Sequence, residues 1–178
     1  TAMSEAKTVY EGEMKDLGVG AYHDDTPGFE REFVVRNIAF YNDELYLINA
    51  DGSKTKVDAP NSASKSVYRE WLSLELREPY TVNGKTYAAG SLIATKFDDF
   101  MKGGRKFDVL FEPSDTTSLA GFSPTKNHFI LNVLDNVKNR LYVLTHSDKG
   151  WTREPLKGAP GFGTVSASGV DPEESDDY

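Results

Sequence analysis

The sequence predicts an all-β fold, and three observations support that prediction. Apolar and polar residues alternate with a period of two through most of the chain, as in strands that bury one face. Short turn sequences such as Asp51-Gly52 and Asn83-Gly84 separate these runs. Some runs also recur at spacings that fit propeller repeats of roughly 40–50 residues per blade, with insertions lengthening some blades. We therefore expect a partial β-propeller of about three four-stranded antiparallel blades, with an eight-stranded β-barrel as the alternative.

The first expected blade lies after residue 30. Strand-like runs cover residues 33–40, 44–49 and 54–58, with turns at Asn42-Asp43 and Asp51-Gly52. We expect residues 1–30 to be an N-terminal extension or part of a preceding blade, in which residues 14–22 are the candidate strand. The partial propeller is then expected to occupy residues 31–178.

The middle blade is longer than the others. Its strands are expected at residues 66–68, 71–76, 85–87, 91–95 and 106–111. Residues 97–101 have the spacing of a short helix, with Asp98 as its cap and Gly103-Gly104 at its end. This helix is expected to be an insertion within the blade.

The last blade has the clearest pattern. Its strands are expected at residues 118–122, 128–134, 140–145 and 151–156. The run at 128–134 is almost continuously apolar, which predicts burial on both faces. The run at 151–156 contains Pro155, which suits an edge strand.

The repeat rests on three pairs of similar segments. Residues 45–48 resemble 141–144, residues 71–74 align with 129–132, and residues 122–124 resemble 170–172. By the last match, residues 170–178 lie where the first turn of a further blade belongs, so we expect the chain to be cut inside a blade. A disordered acidic tail is the alternative.

Composition excludes several classes of function. The net charge is −8, which argues against binding nucleic acid or an anionic membrane surface. The chain has no cysteine, so it has neither a disulfide nor a cysteine nucleophile. It also lacks an apolar run long enough to span a bilayer and a recognisable export signal, so we expect a cytoplasmic location.

The candidate site residues each have a plainer explanation. His23, beside Asp24-Asp25, is expected to be a solvated loop residue, and His128 a packed residue at a strand end; with His146 these are all the histidines, and none has a partner at metal-ligand spacing. A glycosidase needs two carboxylates that face each other across a cleft. Adjacent residues of a strand point to opposite faces, so the adjacent carboxylate pairs of this sequence are poor candidates. Those pairs are Asp24-Asp25, Asp98-Asp99 and Glu173-Glu174.

Turns and packing explain the remaining candidates. Asp51-Gly52-Ser53 and Asp148-Lys149-Gly150 suit hairpin turns better than calcium loops. Trp71 and Trp151 are expected to pack between blades rather than form a ligand platform. The remaining candidates are arginines expected on strand faces in cross-strand pairs: Arg31, Arg36, Arg69, Arg77 and Arg140.

Several segments in order resemble the prolyl oligopeptidase family of serine peptidases, in its bacterial branch. The matching segments are Glu44-Leu45-Tyr46-Leu47 with Asp51-Gly52, residues 84–92, Phe97-Asp98-Asp99-Phe100, residues 109–113, Asn132-Val133-Leu134-Asp135, residues 150–154 and residues 170–176. The resemblance covers residues 33–178. It implies a β-propeller domain that admits short peptides to a separate α/β-hydrolase domain of the parent chain.

No catalytic residue of that family can be assigned to this sequence. The nucleophile elbow Gly-x-Ser-x-Gly is missing, because Gly121-Phe122-Ser123-Pro124 looks like a turn and Ser166-Ala167-Ser168-Gly169 lacks the first glycine. We therefore expect no catalytic, cofactor-binding or metal-binding residue here, and an inactive chain whose parent is a serine peptidase. Open blade faces predict self-association. The alternatives are a lipocalin-like binding barrel and a propeller that serves as an interaction scaffold.

Overall fold

The computed structural model describes residues 5–160 and 164–178, and it is all-β with one short helix in that part of the chain. The elements in chain order are β1 (Gly18–Asp24), β2 (Arg31–Ala39), β3 (Asn42–Ile48), β4 (Lys54–Lys56), β5 (Ser64–Tyr68), β6 (Trp71–Glu75), β7 (Tyr80–Val82), β8 (Lys85–Tyr87), β9 (Leu92–Lys96), α1 (Phe97–Met101), β10 (Asp108–Phe111), β11 (Thr117–Pro124), β12 (His128–Asp135), β13 (Lys138–Ser147) and β14 (Gly150–Pro155). They form two compact units, Thr1–Lys65 and Ser66–Tyr178.

The first unit contains the first sheet, whose antiparallel strands follow the order β1-β2-β3-β4. Its β3–β4 turn forms as expected, because the Asp51 carboxylate accepts hydrogen bonds from the Ser53 backbone N–H and hydroxyl at 2.9 and 2.6 Å. The expected boundary at residue 31 needs a correction. β1 pairs with β2 from Gly18↔Asn37 to Asp24↔Arg31, so it belongs to this sheet and not to a preceding blade.

The second sheet has the order β10-β9-β6-β5 and carries two insertions. The helix α1 joins β9 to β10, as expected, and the β7–β8 hairpin lies between β6 and β9. The capping prediction is wrong: Lys96 is the N-cap residue, without a side-chain hydrogen bond, and Asp98 lies in the first turn.

The glycine pair ends α1 as expected. Gly103 has a φ of 95°, and its N–H donates to Phe100 O at 2.9 Å. The N–H of Gly104 donates to Asp99 O at 2.8 Å. These two bonds form the Schellman motif that satisfies the last carbonyls of a helix.

The third sheet has the order β11-β12-β13-β14, with each strand antiparallel to the next. β14 is an edge strand, so Pro155 leaves no ladder bond unmade inside the sheet. β12 is buried on both faces, as its apolar run predicted. Leu131 lies in a cluster with residues of the second sheet, and Ile130 lies in a separate cluster with Leu141 and Leu156.

The second and third sheets pack face to face in the second unit. From the second sheet the shared cluster takes Trp71, Leu92, Ala94, Leu110 and Phe111, and from the third sheet Phe129, Leu131, Val133 and Leu144. Separate four-stranded sheets that stack on their faces are the arrangement of propeller blades. The barrel alternative is wrong, because the strands of the described residues form several sheets and no closed one.

The first and third sheets end in the same way, which confirms the match between residues 45–48 and 141–144. Val57 follows β4 and donates its N–H to Leu45 O at 2.8 Å, while Leu156 follows β14 and donates to Leu141 O at 2.9 Å. Both acceptors lie in the third strand of their sheet. The internal repeat is therefore structural as well as sequential.

After β14 the chain returns across the third sheet; we call residues 164–178 the return segment. Ala167 exchanges two hydrogen bonds with the Asn132 side chain on β12, and the Gly169 N–H donates to Ser123 Oγ on β11 at 3.1 Å. A turn follows, in which the Ser175 N–H donates to Asp171 O at 2.9 Å. The alternative of a disordered acidic tail is wrong, since these residues are hydrogen-bonded to the sheet.

Candidate functional site

The first strands of the second and third sheets meet the return segment at one place, which we call the inner edge. It comprises Tyr68 on β5, Phe122 on β11, and Pro172 and Asp176 on the return segment. The Tyr68 hydroxyl donates to Pro172 O, although the third sheet lies between these residues in the chain. The Tyr68 and Phe122 rings both contact Phe129, with centroids 6.5 and 6.0 Å away. Successive segments thus converge here, as propeller blades do around a channel.

Asp176 is the main polar anchor of the inner edge. Its carboxylate accepts hydrogen bonds from Thr125 Oγ1 at 2.7 Å, from the Asn127 N–H at 2.7 Å and from Asn127 Nδ2 at 2.8 Å. His128 Nε2 lies 3.9 Å from Asp176 Oδ2. One carboxylate therefore ties the return segment to the β11–β12 turn.

The electrostatics of the inner edge follow from these contacts. Burial raises the pKa of Asp176, but the hydrogen bonds from Asn127 and Thr125 outweigh burial and hold that pKa below its usual 3.8. Burial raises the pKa of the Tyr68 phenol above its usual 10.0, and Arg69 opposes that rise. At neutral pH the edge therefore presents a charged carboxylate and a neutral phenol.

The two tryptophans pack between sheets, as predicted. The ring centroids of Trp71 in the second sheet and Trp151 in the third lie 4.8 Å apart. His146 stands against both rings, at 4.7 and 5.0 Å. Trp71 and His146 also line a cavity of about 350 Å³.

Of the other two histidines, His128 lies at a strand end, as predicted, whereas His23 lies in a strand and not in the predicted loop. His128 is the first residue of β12, and its Nδ1 is 2.8 Å from the Thr145 hydroxyl. His23 lies in β1 rather than in a loop, with its side chain exposed and its Nδ1 3.8 Å from Glu32 Oε1. Within residues 5–160 and 164–178, no group of three or more His, Asp or Glu residues could hold a metal ion.

The carboxylate pairs are not arranged as a glycosidase requires. The expected reason was the alternation of side chains along a strand, and of these residues only Asp24 lies in a strand. Asp24 ends β1, and its carboxylate accepts from the Thr26 N–H and hydroxyl at 3.1 and 2.6 Å. Asp98-Asp99 lie in α1 and Glu173-Glu174 lie in a turn, so the alternation of a strand does not apply to them.

The segment Gly121-Phe122-Ser123-Pro124, which most resembles a nucleophile elbow, lies in a strand and not in a turn. Residues 121–124 form the end of β11, beyond a register shift between Leu119 and Gly121. Ser123 accepts the Gly169 N–H and donates to Pro124 O at 3.4 Å. Its hydroxyl is therefore used in holding the return segment, and no base lies within hydrogen-bond distance of it in the described residues.

Three of the five candidate arginines, Arg31, Arg36 and Arg140, lie in strands, as the pattern predicted. The prediction is wrong for Arg69 and Arg77, which lie in a turn and a bend after β5 and β6. Arg36 stands directly opposite Glu44 in the β2–β3 pair, and it also binds Asp16 Oδ2 at 2.7 Å. Arg140 Nε is 3.8 Å from Asp135 Oδ2. These contacts give the arginines a structural role in their sheets.

The sequence patterns missed two charged residues that anchor distant segments, one buried and one part-exposed. Lys65, whose side chain is only 1% exposed, donates to Asp43 Oδ1, Asp43 O and Ala63 O at 2.8, 3.0 and 2.9 Å. Asp176 is the other anchor. Both are charged residues outside the apolar runs, and nothing in their neighbours along the chain indicates their distant partners.

Similar proteins are peptidases that are much longer than this chain. An uncharacterized peptidase of Sinorhizobium fredii is 26% identical over 184 residues, which cover 98% of this chain and 25% of that relative. An uncharacterized peptidase of Rickettsia prowazekii is 24% identical over 135 residues, covering 72% of this chain and 19% of the relative. The chain thus spans about a quarter or less of the curated relatives it matches. No protein-family model matches it.

A solved structure shares the fold. A post-proline cleaving enzyme from Rickettsia typhi superposes with a TM-score of 0.78 and 24% sequence identity, over 88% of this chain and 24% of that one. This likeness shows the fold, and a partial β-propeller fits it. In the part that the structure describes, no helix is long and apolar enough to cross a bilayer.

Proposed function

The chain is similar to part of the prolyl oligopeptidase family of serine peptidases, and from that premise we propose that it is a non-catalytic propeller portion of such an enzyme. In this role it gates the access of short peptides to a separate α/β-hydrolase domain of the parent chain. The observation that carries the proposal is the coverage: nearly all of this chain matches about a quarter of a peptidase. The sequence of this quarter has no nucleophile elbow.

The geometry of the second unit supports a gate. Blades that converge on a channel leave only a narrow opening, and here the inner edge is closed by polar contacts and not by covalent bonds. The Tyr68–Pro172 hydrogen bond and the Asp176 anchor are the contacts in question. A filter of this kind admits extended short peptides and excludes folded proteins by size.

The test is the size dependence of hydrolysis by the full reading frame that encodes this chain. Tyr68→Phe and Asp176→Asn each remove hydrogen bonds at the inner edge without removing bulk. We expect kcat/KM for a peptide of about 40 residues to rise several-fold relative to a prolyl dipeptide reporter, because each lost bond weakens the edge by roughly 1 kcal/mol. Val137→Ala, in the exposed β12–β13 hairpin, is the matched control.

The controls separate this function from a pure interaction scaffold. If the two variants lower stability but leave the ratio of long to short substrate unchanged, the inner edge is not a gate. If the full reading frame shows no hydrolysis of any prolyl peptide, the peptidase parentage itself fails.

We also propose that the isolated chain associates with itself. In the first unit, β1 is an edge strand that leaves Val19 and Tyr22 exposed at 40% and 46%. An unpaired strand edge with apolar side chains is a template for pairing with another chain.

A further inference from the structure

The cavity beside α1 has the composition of a ligand site that the gate does not use. It lies wholly in the second unit, and its volume of about 350 Å³ falls in the range of small-molecule sites. Its floor is aromatic, formed by Trp71 and His146. Trp71 is only 7% exposed and its ring contacts the rings of His146 and Trp151, so the floor is preformed.

The rim of the cavity carries two charges of each sign. Lys96, Asp99, Lys106 and Asp108 all line it, and all four residues are exposed. The helix explains their meeting: Lys96 ends β9 directly before α1, Asp99 lies inside α1, and the other two follow its glycine stop. Lys96 also stands directly opposite Trp71 in the β6–β9 pair, which places it beside the floor.

These four charges are not used within the protein. Some other charges of the chain are closely paired, as in the contacts of Arg36 with Asp16 and of Lys56 with Glu44. By contrast, the side chains of the four rim residues make no hydrogen bond or ion pair with any residue that the structure describes. Opposite charges that line one cavity without pairing are free to bind a ligand that carries both signs.

From this arrangement we infer that the cavity binds a small zwitterion with an apolar side chain, such as an amino acid or a dipeptide. The ligand carboxylate lies by the lysines, its ammonium group by the aspartates, and its apolar side chain on the indole of Trp71. Exposed ion pairs contribute little each, so the expected Kd is about 1 mM. The inference concerns this chain alone and stands whether or not the chain gates a peptidase.

The experiment is a saturation-transfer NMR titration of the purified chain with alanyl-phenylalanine. Two matched probes each lack one charge: the N-acetylated dipeptide and the C-terminal amide. We expect each to bind at least about fivefold more weakly than the zwitterion, a loss equivalent to one charge contact. Equal binding of all three probes would overturn the inference.

Variants assign the contacts. Lys96→Gln should weaken the binding of the zwitterion but not that of the C-terminal amide, which has no carboxylate. Asp99→Asn should weaken the binding of the zwitterion but not that of the acetylated dipeptide, which has no ammonium group. Lys138→Gln, at the opposite end of β13 from His146, is the control and should change nothing. If Lys138→Gln weakens binding as much as Lys96→Gln, or if no probe binds at about 20 mM, the site is refuted.

Discussion

The two faces of β12 provide the sharpest test of the fold. Leu131 faces the second sheet, and Ile130 faces the cluster that the return segment helps to cover through Val165 and Ala167. Both side chains are fully buried, at 0% exposure. Truncation of either to alanine therefore removes apolar contacts and leaves a cavity, which should cost about 2–5 kcal/mol of unfolding free energy.

Displacing the return segment should separate the two faces. A Cβ at Gly169 would overlap the carbonyl oxygen of Pro124, so Gly169→Ala forces the segment away from the sheet. The face of Ile130 then meets water already in the folded state. We expect Ile130→Ala to cost less in this background, by about 1 kcal/mol or more, while the cost of Leu131→Ala changes by less than about 0.5 kcal/mol.

The assay is urea unfolding followed by tryptophan fluorescence. Both tryptophans, Trp71 and Trp151, lie in the second unit, so their emission reports on the unit that contains β12. Val137→Ala is the control and should be neutral, because that side chain is 88% exposed. If Gly169→Ala changes the cost of both truncations equally, the return segment does not cover one face of β12 and the described packing is wrong.

Two further predictions concern the anchors Lys65 and Asp176, and a third concerns association. Lys65→Met should cost about 2–3 kcal/mol in denaturant unfolding, since it strands buried acceptors, whereas the half-exposed Lys56→Met should cost less than about 1 kcal/mol; equal costs would contradict the anchor. The pKa of Asp176 lies below its usual 3.8, so its charged carboxylate stabilises the fold above pH 3.8, and this stabilisation is lost as pH falls through the folded-state pKa. In Asp176→Asn the free energy of unfolding should therefore fall less steeply with acid than in the unchanged chain. An equal fall in both would refute this. Light scattering should show the isolated chain growing in mass with concentration, and a strict monomer at high concentration would count against the exposed edge of β1.

Most of the sheet structure is predictable from the sequence, because period-two alternation and glycine turns are local signals. The strands of the third sheet lie within a few residues of their predicted positions, and the apolar run of β12 correctly indicated two buried faces. The helix α1 was also visible, since Gly103-Gly104 ends it through backbone geometry that few other residues permit.

The parts that escaped prediction depend on distant partners. β1 contains three small residues, Gly18, Gly20 and Ala21, and is held in place by pairing with β2. The return segment has no strand pattern, and its place depends on side-chain hydrogen bonds to distant residues such as Asn132, Ser123 and Asn127. The rim of the cavity was equally hidden, because its charges approach one another only when α1 folds.

Our central proposal is that this chain is a non-catalytic portion of a serine peptidase. Hydrolysis of a prolyl peptide reporter tests it most directly, measured in parallel for the purified chain and for the product of the full reading frame. The account predicts no turnover by the chain and turnover by the longer product. Activity of the chain that survives repurification, or a longer product that is inactive, would contradict it.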